Sequence, residues 1–207
     1  MNRRAEMNTH TQIVRLDEVN REEAAGKTAS FLLAGEICVI PTDTIYGIVA
    51  LDRFPGSVRK IYEIKGRPEE KPFIRLIGGP EMVSLFTDQP LPRELGKYWP
   101  GPLTLIFRGR DGGKIALRYP QDPFLASLFA KTGGAPFVAP SANPSGGGEI
   151  HDCTELERVF SGKVSLIVCA GGGHPRHRAS TILDISGSEW RVIRQGDLLL
   201  DPALFRP

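Results

Sequence analysis

Cysteine is scarce in this 207-residue chain: Cys38, Cys153 and Cys169 make an odd count, with no Cys-x-x-Cys pair. That scarcity excludes a small disulfide-stapled scaffold, predicts no disulfide framework, and fits a chain working in a reducing cytoplasm. An excess of charge of one sign is missing too. Lys and Arg number 26 against 24 Asp and Glu, a formal net charge of +2, so no global pull toward nucleic acid is built in and only a local basic groove can supply one. No apolar run approaches the ~20 residues that span a bilayer, so no membrane partner is expected. The start, Met1-Asn2-Arg3-Arg4, is followed by polar residues rather than the apolar stretch of a secretory signal. There is no Gly-x-x-x-x-Gly-Lys-Ser/Thr loop and no Gly-x-Ser-x-Gly elbow, which leaves out a P-loop nucleotide site and a serine nucleophile of that kind. His174 and His177, with Cys169, His151 and Cys153 nearby, match no closed zinc spacing, and no metal site is expected.

What is present reads as a folded α/β domain. The hydrophobic fraction of 41% is ordinary for a globular protein, and the length suits one domain over 1–207, with 1–12 loose. Ala24, Ala25, Thr28, Phe31 and Leu32 recur at helical spacing, predicting a helix over 21–33 with Asn20 as N-cap and Gly35 as its stop. The apolar run 37–40 predicts a buried strand. Further helices are expected near 56–64, 81–86, 92–98, 123–132 and 154–160, the last with Thr154 as N-cap and Glu157 completing a capping box. Further strands are expected at 73–77, 103–107, 115–118, 137–139, 164–168, 181–185 and 190–193. The interleaving predicts an α/β sheet with helices packed on it, and the turn at Gly112-Gly113 makes that sheet mixed. In such sheets ligands sit beyond strand ends.

Several polar segments lie at those ends. Pro41-Thr42-Asp43-Thr44-Ile45-Tyr46-Gly47 follows a buried strand; it is either a ligand edge or a capped strand-to-helix turn, and Tyr46 is either site or core. Lys65-Gly66-Arg67-Pro68 sets two cations around a glycine, suited to a polyphosphate or simply to a solvated turn. Trp99-Pro100-Gly101-Pro102-Leu103-Thr104 is a stiff corner entering a strand, and Arg118-Tyr119-Pro120 places a cation at a strand end. The run from Ala139 through Ser141, Asn143 and Ser145 to Gly148 is small enough for a ligand to approach the backbone, or is a linker. Gly171 to Gly173 precede His174, Arg176, His177 and Arg178, the most basic short stretch, then Ser180-Thr181-Ile182-Leu183-Asp184; Arg194-Gln195-Gly196 closes the last strand.

Each segment is weak alone, but their succession is not. Pro-Thr-Asp-Thr-Ile-Tyr-Gly, Lys-x-Arg-Pro with Lys-Pro, Pro-Gly-Pro-Leu-Thr, Arg-x-Pro, Pro-Ser-Ala-Asn, Ser-Thr-Ile-x-Asp and Arg-x-Gly follow one another from about residue 13 to 196. That order resembles the YrdC-like family, threonylcarbamoyl-adenylate synthases of the stand-alone type. The resemblance implies a twisted, open α/β sheet around a concave, electropositive cavity. It implies synthesis of threonylcarbamoyl-adenylate from L-threonine, bicarbonate and ATP with Mg²⁺, releasing pyrophosphate, for modification of a tRNA adenosine. Lys65 and Arg67 would hold the ATP phosphates as the rate-critical pair. Thr104, Ser141, Asn143 and Arg194 would line the nucleotide side. Thr42, Thr44, Arg118, Ala139 and Ser180 would seat threonine or its carbamate. The implied partners are small molecules, a downstream tRNA threonylcarbamoyl transferase complex, and RNA at the basic cavity. A non-catalytic relative that binds double-stranded RNA or tRNA, or acts in ribosome maturation, is the alternative.

Three departures from the family pattern stand out. Leu76 occupies a place where relatives often carry a histidine near threonine, and Arg75 beside it faces the other way if 73–77 is a strand. His177-Arg178-Ala179 precedes Ser180 where a Gly-Val-Glu run is frequent. The chain ends soon after Gly196, so the further C-terminal domain of some members is not expected.

Overall fold

The computed structural model describes residues 10–144, 146–170 and 178–205. Gly171 to Gly173, His174, Arg176, His177 and Ser145 lie outside the described residues. In chain order the elements are β1 (Gln12–Leu16), α1 (Arg21–Leu33), β2 (Cys38–Ile40), β3 (Gly47–Leu51), α2 (Pro55–Lys65), β4 (Arg75–Leu76), β5 (Leu103–Arg108), β6 (Lys114–Arg118), α3 (Pro123–Lys131), β7 (Phe137–Val138), α4 (Cys153–Phe160), β8 (Leu166–Ala170), β9 (Thr181–Asp184) and β10 (Arg191–Arg194). The segments Pro80–Leu85 and Arg93–Tyr98 are 3₁₀ rather than α-helical.

One sheet runs in the order β1-β8-β2-β3-β7-β4-β6-β5-β9-β10. β8 lies parallel between β1 and β2, and β4/β6 and β5/β9 are also parallel. The β2/β3, β3/β7, β4/β7, β5/β6 and β9/β10 pairs are antiparallel, so the sheet is mixed as the sequence predicts. The central strands are apolar at every position because helices cover both faces. Cys38, Ile40, Val49 and Leu51 pack with Ala25 and Leu32 of α1 and Leu125 and Leu128 of α3. Their strand neighbours Val39, Ile48 and Ala50 face the other way, against Ile61 of α2 and Leu156 and Phe160 of α4. A third cluster seats Leu103, Leu105, Phe107 and Leu183 under the 3₁₀ segments, around Leu95 and Trp99.

The helix ends explain two turns that matter for the site. α1 stops where Gly35 takes φ +82°, while the Gly35 and Glu36 amides return to Leu32 and Phe31 carbonyls. Asn20 stands at its N-cap without capping through its side chain, which instead accepts from the Asp17 amide and donates to the Arg15 carbonyl. α2 stops where Gly66 adopts φ +58°, a left-handed turn that costs a side-chain-bearing residue energy.

Four expectations need correction. β3 was not foreseen: after Tyr46 the chain makes a strand antiparallel to β2, not a helix. Thr11 and Gln12 are not loose, since Gln12 pairs with Leu166 and Thr11 Oγ1 donates to the Val164 carbonyl at 2.6 Å. The cap of α4 is Asp152, whose carboxylate accepts from the Thr154 and Glu155 amides at 2.7 and 3.2 Å, and Thr154 lies inside the helix. Finally, Cys153 and Cys169 form a disulfide, leaving only Cys38 free. An odd cysteine count does not reveal that α4 packs its first residue onto β8.

Candidate functional site

A cleft of ≈ 230 Å³ opens where the ends of β2, β6, β7 and β9 meet. Three arginines line it, Arg67, Arg118 and Arg194, and no carboxylate does so among the described residues. Thr42, Thr44, Ala139, Ser141 and Ser180 supply its remaining predicted contacts, and Leu76, Ile106, Ala116 and Ile182 form an apolar wall.

The segment after β2 is a polar knot built on Arg118. That residue ends β6 and is almost wholly buried, at 5% exposure. Its guanidinium donates to Thr44 Oγ1 at 2.8 Å and Thr42 Oγ1 at 3.3 Å, and it pairs with the Asp43 carboxylate. Asp43 also accepts from the Gln121 amide at 3.1 Å. Thr42 Oγ1 in turn donates to the Ile45 carbonyl at 2.7 Å and lies 3.1 Å from Thr44 Oγ1. Burial lowers the pKa of Arg118 and Asp43 opposes that shift. One donor is left over: Arg118 Nε is buried without a hydrogen-bond partner. An orphaned cationic donor on a cleft wall is a place for an anion or carbonyl oxygen.

Lys65 and Arg67 part company at Gly66. Arg67 lines the cleft, steadied by bonds from Nε to the Lys71 carbonyl (2.9 Å) and Nη2 to the Pro72 carbonyl (3.3 Å), with its guanidinium 5.4 Å from the Phe73 ring centroid. Lys65 turns inward and does not line the cleft; its ammonium donates to the Ser141 carbonyl (2.5 Å), the Asn143 carbonyl (2.7 Å) and Asn143 Oδ1 (3.2 Å). Burial, aided by the nearby Arg67 charge, pushes its pKa down to about 8. The sequence places these cations side by side, but the left-handed glycine gives them different tasks in this conformation.

The loop after β7 is held from three sides. The Ile48 amide donates to the Pro140 carbonyl (2.9 Å), the Ala142 amide to the Tyr46 carbonyl (2.8 Å), and Lys65 anchors the next turn. Ser141 Oγ donates to Asn143 Oδ1 at 2.6 Å, so Asn143 stands behind Ser141 rather than on the cleft wall. Thr104 is likewise one bond back, its hydroxyl 2.8 Å from Ser180 Oγ. Arg194 closes this side, donating from Nε and Nη2 to the Ser180 carbonyl at 3.0 and 2.9 Å. Arg178, the described member of the basic stretch, bonds through its amide to Asp197 at 2.9 Å.

Sequence reasoning missed four contributors. Asp43 was read as part of a motif, not as the partner of Arg118. Tyr46 is both core and site: it lines the cleft while its hydroxyl accepts from the Ala170 amide at 2.9 Å. Glu149 reaches the Ala179 amide at 3.0 Å. Gly196 passes so close to the 179–181 backbone that a Cβ there would fall 2.3 Å from the Ala179 carbonyl oxygen. That close approach gives the Arg-x-Gly signature its physical reason.

A family profile described as telomere recombination, and named for Sua5, YciO and YrdC, matches residues 30–196. The chain belongs to the Sua5/YciO/YrdC family. Threonylcarbamoyl-AMP synthase of Pyrococcus abyssi is 31% identical, with 92% of this chain aligned to 59% of that protein. The protein of that name from Bacillus subtilis is 31% identical over 70% of this chain and 45% of its own length. In Marinobacter nauticus the namesake is 31% identical over 77% and 90%. The chain thus spans about half the length of the first two of these relatives. Among solved structures, P. abyssi Sua5 complexed with L-threonine superposes with TM-score 0.78 at 28% identity, covering 91% of this chain and 58% of that one. Escherichia coli YciO, at 18% identity, superposes with TM-score 0.79 over 96% and 100% and supports the fold alone.

Proposed function

We propose that this chain makes threonylcarbamoyl-adenylate from L-threonine, bicarbonate and ATP. The observation that carries the reading is the buried Arg118 Nε without a partner, on a cleft lined among the described residues by three arginines and no carboxylate. A Sua5 with this fold is a threonine complex. In this reading the threonine carboxylate takes the Arg118 side of the cleft, beside Thr42, Thr44 and Ser180. The threonine amine and bicarbonate form a carbamate, with loss of water. A carbamate oxygen then attacks the ATP α-phosphorus, and the bond to the β-phosphate oxygen breaks to release pyrophosphate. Such a displacement needs positioning and charge neutralisation rather than a protein nucleophile.

Arg67 and Arg194 face the same volume and neutralise phosphate oxygens. Lys65 acts in this scheme by holding Ser141 and Asn143 in place, and its ammonium becomes available to a phosphate if the loop opens. Mg²⁺ would come bound to ATP and supply further charge neutralisation, since among the described residues the lining offers no carboxylate to hold it. The cleft is accordingly electropositive, and the product supplies a tRNA-modifying transfer.

Purified protein is expected to release pyrophosphate from ATP only when threonine and bicarbonate are both present. Folded protein that hydrolyses ATP without that dependence, or not at all, defeats the proposal. A salt-sensitive affinity for double-stranded RNA without pyrophosphate release would instead favour a binding role.

A further inference from the structure

The disulfide Cys153–Cys169 lies outside the cleft, yet each cysteine is wired to a different lining residue. Cys169 is wholly buried in β8. The next amide, Ala170 N–H, donates to Tyr46 Oη at 2.9 Å, and Tyr46 lines the cleft. Cys153 opens α4 and is half-buried. Upstream of it, Glu149 accepts from the Ala179 amide at 3.0 Å, and Ala179 and Ser180 line the cleft as well. The chain between Asn143 and Glu149 includes Gly146, Gly147 and Gly148, which contribute little stiffness of their own. Glu149 is held by its neighbour Ile150, buried in the core with Leu156 and Ile167, and by the start of α4, which the sulfur bridge ties covalently to β8.

We propose that Cys153 and Cys169 are a reversible thiol–disulfide site for low-molecular-weight disulfides, and that its state sets how firmly the Tyr46 and Ala179 walls of the cleft are held. In the oxidising direction, Cys153 is the entry point because it is the more exposed of the two. Its thiol proton passes to Glu157, whose Oε1 lies 3.3 Å from Cys153 Sγ. The N-terminal amides of α4 favour the thiolate. That thiolate attacks one sulfur of the small disulfide, whose S–S bond breaks and releases one thiol. Glu157 passes the first proton to that leaving sulfur and then takes the proton of Cys169, whose Sγ lies within 4.8 Å of its carboxylate; Cys169 attacks Cys153 Sγ and releases the second thiol. Two protein thiols are oxidised, and one small disulfide is reduced to two thiols.

The test uses the full chain equilibrated in glutathione buffers of graded oxidised-to-reduced ratio. Alkylation under denaturing conditions counts thiols by mass, and hydrogen exchange follows the Ala170 and Ala179 amides. We expect one reactive thiol, Cys38, at the oxidising end and three at the reducing end. Exchange at both amides should be at least tenfold faster when reduced. Threonine affinity, the one arm that rests on the proposed function, should fall several-fold. Cys153→Ser should behave as the reduced form at every ratio, whereas Cys38→Ser should keep the response. Three thiols at all ratios, or equal exchange in the two states, would overturn the proposal. Thiol count and exchange are read without ATP or threonine, so a failure of pyrophosphate release alone counts against the proposed activity and not against this site.

Discussion

Replacing Asp43 by alanine tests the polar knot most directly. The Arg118 and Asp43 side chains are only 7% and 9% exposed, and Asp43 provides the carboxylate of the pair. Truncating one partner of a buried ion pair strands the other charge, at about 3–5 kcal/mol. The Gln121 amide loses its acceptor as well, adding roughly 1 kcal/mol. For a domain of this size each kcal/mol moves Tm by about 2–4 °C, so a fall of roughly 8–24 °C is expected. The double variant Asp43→Ala with Arg118→Met removes both charges and should recover at least about 1–2 kcal/mol relative to Asp43→Ala, because no uncompensated cation remains buried. Thermal and urea unfolding followed by circular dichroism supply the stabilities, and a threonine titration of each folded variant supplies the binding. The reasoning is refuted if Asp43→Ala lowers Tm by less than about 2 °C, or if the double variant is no more stable than the single one.

Two further outcomes follow from the same geometry. The pKa of Lys65, lowered to about 8 from 10.5, means that the bonds to Ser141 and Asn143 lose their charge as pH rises through about 8. ATP affinity should therefore weaken above that pH in the wild type but not in Lys65→Arg, measured by titration from pH 7 to 9.5. Unfolding does not explain such a loss: a lowered pKa in the folded state makes this group's contribution to stability absent below about 8, rising toward 10.5 and complete above it. Gly196→Ala should cost about 1–3 kcal/mol by overpacking, since its Cβ would meet the backbone at Ala179, Thr181 and Ser180. It should also weaken threonine binding by displacing Ser180, and unchanged calorimetric affinity with unchanged stability would remove Gly196 from the site.

Much of this molecule was legible in the order of residues alone. The helix periodicity of 21–33, the apolar run of β2 and the hairpin around Gly112-Gly113 are local properties, and the structure reproduces them with shifts of a residue or two. The succession of polar segments at strand ends identified the family, because each is a short stretch of backbone chemistry readable without knowing its neighbours. Eight of the predicted side chains do line one cleft. What sequence did not decide were pairings between distant residues. β3 went unassigned because all five of its residues are buried and show no alternation, and one of its two partner strands, β7, lies far along the chain. Asp43 acquires its meaning from Arg118, 75 residues away, and Lys65 from Ser141, 76 away. The Cys153–Cys169 bond depends on α4 packing against β8, a contact that an odd count of three cysteines does not announce. Local spacing dictates which groups are offered at a strand end. Only the packed sheet brings the groups from separate ends within the 3 Å or so at which a charge finds its partner or is left, like Arg118 Nε, without one.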